Sequence, residues 1–141
     1  MDIDIKPIIK MEKEGKLKEA YERYNALIEE KPGHKNLHIL HKRAWLVAFK
    51  LGNFSNSAYH LKIAYDKSSF EKKKDFLLTL AESYIKNDQN YEAEKILKEG
   101  IDFEDEEISP KCLLKRAELY IRQSKINSAK EDLDNLITNY P

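Results

Sequence analysis

Three histidines, His34, His38 and His41, have spacings that a metal site could use, because two of them four or three residues apart on a helix share a face. No cysteine or carboxylate stands beside them in sequence, and His34 sits at a Pro32-Gly33 turn. They are read as surface or groove histidines, and neither a metal nor another cofactor is expected. Cys112 is the one residue with nucleophile chemistry to consider. A reactive thiol needs a nearby base and a setting that favours thiolate. Cys112 follows Ser109-Pro110 and so lies just inside a helix N-terminus, which favours thiolate, but no histidine is near it in sequence. An ordinary buried or half-buried cysteine is the expectation. There is no glycine-rich loop to cradle phosphate and no strained serine elbow. The many carboxylates are explained by solvated helix faces. No catalytic constellation emerges, so the chain is not expected to be an enzyme.

What does emerge is a motif that returns every 36 or 37 residues. Its four copies are Gly15-x-Leu17-x-x-Ala20-x-x-x-Tyr24-x-x-Leu27, Gly52-x-Phe54-x-x-Ser57-x-x-x-Leu61-x-x-Ala64, Asp88-x-x-Tyr91-x-Ala93-x-x-x-Leu97-x-x-Gly100 and Ser124-x-Ile126-x-x-Ala129-x-x-x-Leu133-x-x-Leu136. Self-similarity at such a period marks a helical repeat array. Ahead of each turn runs a large-small-large stripe: Leu40, Ala44, Val47; Leu77, Ala81, Tyr84; Leu113, Ala117, Tyr120. Spacings of four and three put each stripe on one helix face. The opening segment keeps only Ile8 and Met11 in register, as a terminal repeat with a watery outer face can. Eight helices in four pairs are therefore expected, with repeats at about 1–34, 35–71, 72–107 and 108–141 of a single 141-residue domain.

Local chemistry marks the boundaries. Pro32-Gly33 closes the first pair. Ser68-x-x-Glu71 reads as a capping box opening the fifth helix, and Ser109-Pro110 as N-cap and first helical residue of the seventh. Gly15 and Gly52 supply tight turns, with Asp88 and Ser124 in the same place later. The acidic stretch 102–107 reads as a solvated linker. In the second pair the first helix is 36 residues on and the second 37, so its turn is expected to be one residue longer. A different register would move each groove residue of that helix by one position.

Hydrophobic residues at 41% and charged residues at 35% point to a folded, well-solvated helical chain. Lys and Arg total 25, as do Asp and Glu, so no net charge draws the chain to nucleic acid or an anionic membrane. No apolar run approaches the ~18 residues of a spanning helix. The start, Met1-Asp2-Ile3-Asp4, lacks the pattern of a secretory signal, and one cysteine excludes an internal disulfide. A cytoplasmic location is expected.

The chain resembles the tetratricopeptide repeat family, whose repeat of about 34 residues carries a small residue in its first helix, then Gly, a large residue and Ala, and closes on Pro. Gly15, Leu17, Ala20, Tyr24 and Pro32 match this pattern, as do Ala81, Tyr84, Ala93 and Leu97, and Ala117, Tyr120, Ala129, Leu133 and Pro141. Departures are the longer period, the missing Gly in the last two repeats, and Leu27 and Leu136 at normally small positions. The resemblance implies an all-α, right-handed superhelix (a solenoid) of four helix-turn-helix repeats. It also implies a concave groove, lined by the first helices, that binds a protein or peptide partner. The groove positions it implies are His41, Trp45 and Phe49; Leu78, Glu82, Ile85 and Lys86; and Lys111, Leu114, Glu118, Ile121 and Arg122. In the third and fourth repeats Leu78 and Leu114, Glu82 and Glu118, Ile85 and Ile121, and Lys86 and Arg122 would then present apolar, acidic, apolar and basic residues in turn. Glu82–Lys86 and Glu118–Arg122 are equally i,i+4 pairs that support an exposed helix, and Trp45 equally fills a core between the first two pairs. The family's carboxylate clamp would need Asn on two first helices. Lys111 and Lys115 are in place, but His41, Trp45 and Thr79 stand elsewhere in the set, so this clamp is not expected. A different role, self-association or an interdomain scaffold, is suggested by Ile126, Leu133, Leu136 and Ile137 on the last helix.

Overall fold

The computed structural model describes residues 3–141, so Met1 and Asp2 of the acidic start lie outside the described residues. Among them the fold is all-α, with eight helices and no strand: α1 (Lys6–Lys13), α2 (Leu17–Glu30), α3 (Leu37–Lys50), α4 (Phe54–Asp66), α5 (Phe70–Lys86), α6 (Asn90–Asp102), α7 (Ile108–Arg122) and α8 (Ile126–Asn139). They form two compact units, one running to Ser68 and one from Ser69. Each unit holds two helix pairs, and within each unit successive helices pack on one another.

The four turns inside the pairs are copies of one another. Gly15 (φ 80°), Gly52 (77°), Asp88 (58°) and Ser124 (61°) all have left-handed backbone. Their N–H groups donate to the carbonyls of Glu12, Phe49, Ile85 and Ile121. The following N–H groups donate five residues back, to Met11, Ala48, Tyr84 and Tyr120. This double closure satisfies the orphan carbonyls at a helix end and needs one left-handed residue. Asp88 and Ser124 therefore take the glycine's place as expected, and at some cost in strain.

The expected longer turn in the second pair is corrected. Three residues separate the helices of every pair, and the extra residue lies outside the turn. Counted back from the left-handed residue, Lys42 and Leu46 take the places held by Leu78 and Glu82 in α5. His41 takes the place of core Leu77, and Trp45 that of core Ala81.

Two caps are also corrected. Ser68 does not open α5: its hydroxyl donates to the carbonyl of Ala64 (2.6 Å), closing α4, and Ser69 is the N-cap of α5. Ser109 lies inside α7, which starts at Ile108. Its hydroxyl donates to the carbonyl of Gly100 (2.9 Å) and accepts from the N–H of Asp105 (2.9 Å). The N-cap residue is Glu107, and the capping side chain is that of Asp105, whose carboxylate accepts from the N–H groups of Glu107 (2.9 Å) and Ile108 (2.8 Å) and pairs with Lys74 (2.8 Å). The acidic stretch is thus a structured corner. Lys74 and the two N–H groups hold the Asp105 carboxyl down at about 2.

In the first unit Ile8, Ala20, Tyr24, Leu40, Ala44 and Val47 form the core. The buried Tyr24 hydroxyl donates to Glu12, which also pairs with Arg43 (3.0 Å). Burial and the Glu12 carboxylate push this phenol up to about 12, against the Arg43 hydrogen bond. In the second unit Leu77, Leu80, Ala81, Ala93, Ile96, Leu97, Cys112, Leu113 and Ala117 are buried. Gly100 is there for close approach: a Cβ would collide with Cys112 Sγ and stand 2.9 Å from Leu77 Cδ2.

Candidate functional site

In the second unit the matching faces of α5 and α7 leave an open cleft of about 320 Å³ lined by Leu78, Glu82, Lys111, Leu114, Lys115 and Glu118. The helix period explains the set. Lys111, Leu114, Lys115 and Glu118 are three, four and seven apart, and Leu78 and Glu82 are one turn apart. Leu77 and Leu113, one residue earlier in each helix, are fully buried and anchor these faces. Leu78 is half-buried and Leu114 is 45% exposed, so apolar surface faces the opening. Glu82 pairs along its own helix with Lys86 (3.8 Å), and Lys111 with Glu107 (3.5 Å). Such solvated pairs hold little energy and yield readily to a partner's charges.

Five of the expected groove residues, Leu78, Glu82, Lys111, Leu114 and Glu118, thus converge on one cleft, with Lys115 beside them. Ile85, Lys86, Ile121 and Arg122 lie further along the same helices and do not line it. Ile85 is buried, whereas Ile121 is 50% exposed.

In the first unit the expected trio is divided. His41 is buried, and its Nδ1 meets His60 Nδ1 at 2.9 Å, so it faces α4. This follows from its core register in α3. Trp45 is half-buried and stands edge-on to Phe49, with ring centroids 6.2 Å apart; Phe49 in turn packs edge-on to Phe54 at 5.4 Å. The Trp45 indole nitrogen is buried without a hydrogen-bond partner.

The residues considered for chemistry are dispersed. His34 Nδ1 accepts from the N–H of Asn36 (3.0 Å), His38 is exposed, and His41 joins His60. Cys112 is fully buried, and burial pushes its thiol up to about 12, overriding the Arg116 charge. His60 and its neighbour Tyr21 were not singled out from the sequence. The available signal was position: His60 falls on the apolar stripe Ser57, Leu61, Ala64 of α4, all of it buried.

No described helix is long and apolar enough to cross a membrane. No curated protein matches the chain. A model of the tetratricopeptide repeat family matches residues 111–141, which covers α8 and nearly all of α7. Repeats of this family are, in general, protein–protein interaction modules and typically non-catalytic. The last helix pair is therefore similar to a tetratricopeptide repeat, and the chain's likeness to that family rests on this match and on four helix pairs closed by one and the same turn.

Proposed function

We propose that the chain is a non-catalytic protein-interaction module of the cytoplasm whose second unit binds a partner peptide or helix in the α5–α7 cleft. The observation that supports this reading is the pairing of equivalent residues there. Leu78 with Leu114 offers an apolar floor, Glu82 with Glu118 an acidic end, and Lys111 with Lys115 a basic end. Apolar anchors give affinity and fixed charges set direction. The matching ligand has an acidic residue, an apolar residue and a basic residue in order along one face. Ile121 and Arg122 extend the surface for a longer partner, with Ile85 and Lys86 supporting it from α5. Phe49 and the exposed part of Trp45 are a separate contact of the first unit.

Peptide display on the full chain tests the reading. Selected peptides should share the acidic, apolar, basic order and lose at least ~10-fold in affinity against Leu114→Asp. Unchanged binding by a folded Leu114→Asp chain would remove the cleft from the account. Partner capture with Trp45→Ala and Phe49→Ala does the same for the first unit.

A second reading, self-association through the last repeat, draws on Ile126 and Ile137, which are 59% and 71% exposed on α8. Light scattering at high concentration decides it: a strict monomer argues against assembly through this helix.

A further inference from the structure

Three side chains from three helices form a hydrogen-bonded chain in the first unit, its two histidines buried and its tyrosine half-buried. Tyr21 of α2 places its hydroxyl 3.0 Å from His60 Nε2 on α4, and His60 Nδ1 lies 2.9 Å from His41 Nδ1 on α3. The two imidazoles are 3% and 4% exposed, with centroids 5.1 Å apart. Tyr59 of α4 stands edge-on to both rings.

Two nitrogens at that distance need one hydrogen between them. Facing lone pairs repel, and facing N–H groups clash. The neutral pair meets the need in either direction. If His41 Nδ1–H donates, His60 carries its proton on Nε2 and gives it to the Tyr21 oxygen. If His60 Nδ1–H donates, the Tyr21 hydroxyl donates to His60 Nε2. One added proton leaves a buried charge on this chain. A second puts N–H on both Nδ1 atoms and breaks the contact.

The surroundings do not compensate. The charges acting on the pair are Lys67, just past α4, on His41, and His41 on His60; both oppose protonation, and among the described residues no carboxylate offsets them. Tyr21 and Tyr59 are titratable groups of the first unit that stand against the pair. All four histidines lie before Ser69, so the second unit holds no imidazole.

We propose that the Tyr21–His60–His41 chain makes the first unit an acid-sensitive element, in which protonation of the paired imidazoles loosens the packing of α4 against α2 and α3 while the second unit stays folded. Burial lowers both imidazoles, reinforced at His41 by Lys67 and at His60 by the His41 charge, and His60 falls to about 4. The unfolded chain binds protons there that the folded chain refuses. Stability is therefore whole above the ordinary imidazole value and falls as pH drops from about 6.5 toward 4.

The test is urea unfolding of the full chain, followed by emission of Trp45, the only tryptophan and a residue of α3. From pH 7.5 to 5.0 the unfolding constant should rise roughly 30-fold from His60 alone. His60→Gln keeps an amide near Nε2, and His41→Asn keeps one near Nδ1; both should flatten this dependence. Hydrogen exchange should rise in the first unit and not in the second. Equal midpoints at the two pH values, or variants as pH-dependent as the parent, would overturn the proposal. Should a variant not fold, imidazole ¹⁵N shifts of the unaltered chain decide. His60 neutral at pH 5 supports the proposal, and His60 protonated at pH 6 in an unchanged fold sinks it.

Discussion

Arg116 on α7 meets Asp132 on α8 in a two-point ion pair, with Nε 2.8 Å from Oδ2 and the second guanidinium contact at 2.6 Å from Oδ1. Asp132 is 5% exposed, and the pair holds the guanidinium above its ordinary range. Its forked geometry locks the rotation of α8 on α7. Asp132→Ala should lower stability by about 3 kcal/mol, because Arg116 would be left partly buried and unpaired. Arg116→Met with Asp132→Leu should recover most of that loss. Urea melts read by circular dichroism check both. A single variant as stable as the parent would show that the pair has no structural weight.

Gly100→Ala should destabilise the second unit by roughly 1–3 kcal/mol, since the new methyl meets Cys112 Sγ and the Leu77 methyls. Adding Cys112→Ala makes room and should restore part of it. The same burial keeps Cys112 as the thiol. A disulfide reagent at pH 8 should therefore label it about 1,000-fold more slowly in the folded chain than in urea. Fast labelling under native conditions would contradict the packing.

Ser124→Gly should raise stability by roughly 0.5–1 kcal/mol, because Ser124 holds φ 61° where glycine carries no Cβ penalty. Gly15→Ala, at φ 80°, should lower it by a similar amount. Thermal melts of the two variants should move in opposite directions, and movement in the same direction would be inconsistent with a shared turn.

Asp105 gives a second acid window, separate from that of the histidines. Its carboxyl sits at about 2 in the fold, below the ordinary carboxylate value of 3.8. Its contribution is therefore complete above about pH 4 and fades as pH falls toward 2. Asp105→Asn should remove this acid-side slope and leave the one between pH 6.5 and 4 intact. Melts across both ranges check it, and a slope that survives the substitution would reassign the cap.

Periodicity and turn chemistry were legible without coordinates. The stripes at three and four residues, and the four turn positions at Gly15, Gly52, Asp88 and Ser124, depend on local backbone geometry and helix phase. Their consequences, eight helices in four pairs, followed. Leu78, Glu82, Leu114 and Glu118 were legible for the same reason: each pair occupies one phase of two helices that have equivalent turns. What local pattern could not decide was how one helix is rotated against another. Tyr21 reaches His60 across 39 residues of sequence, and Arg116 reaches Asp132 across 16. A one-residue difference of register, invisible in the stripe alone, took His41 from an outer face into the core. Asp105 rather than Ser109 caps α7 because the corner brings Lys74 and two N–H groups to its carboxylate, an arrangement of three segments that only packing assembles.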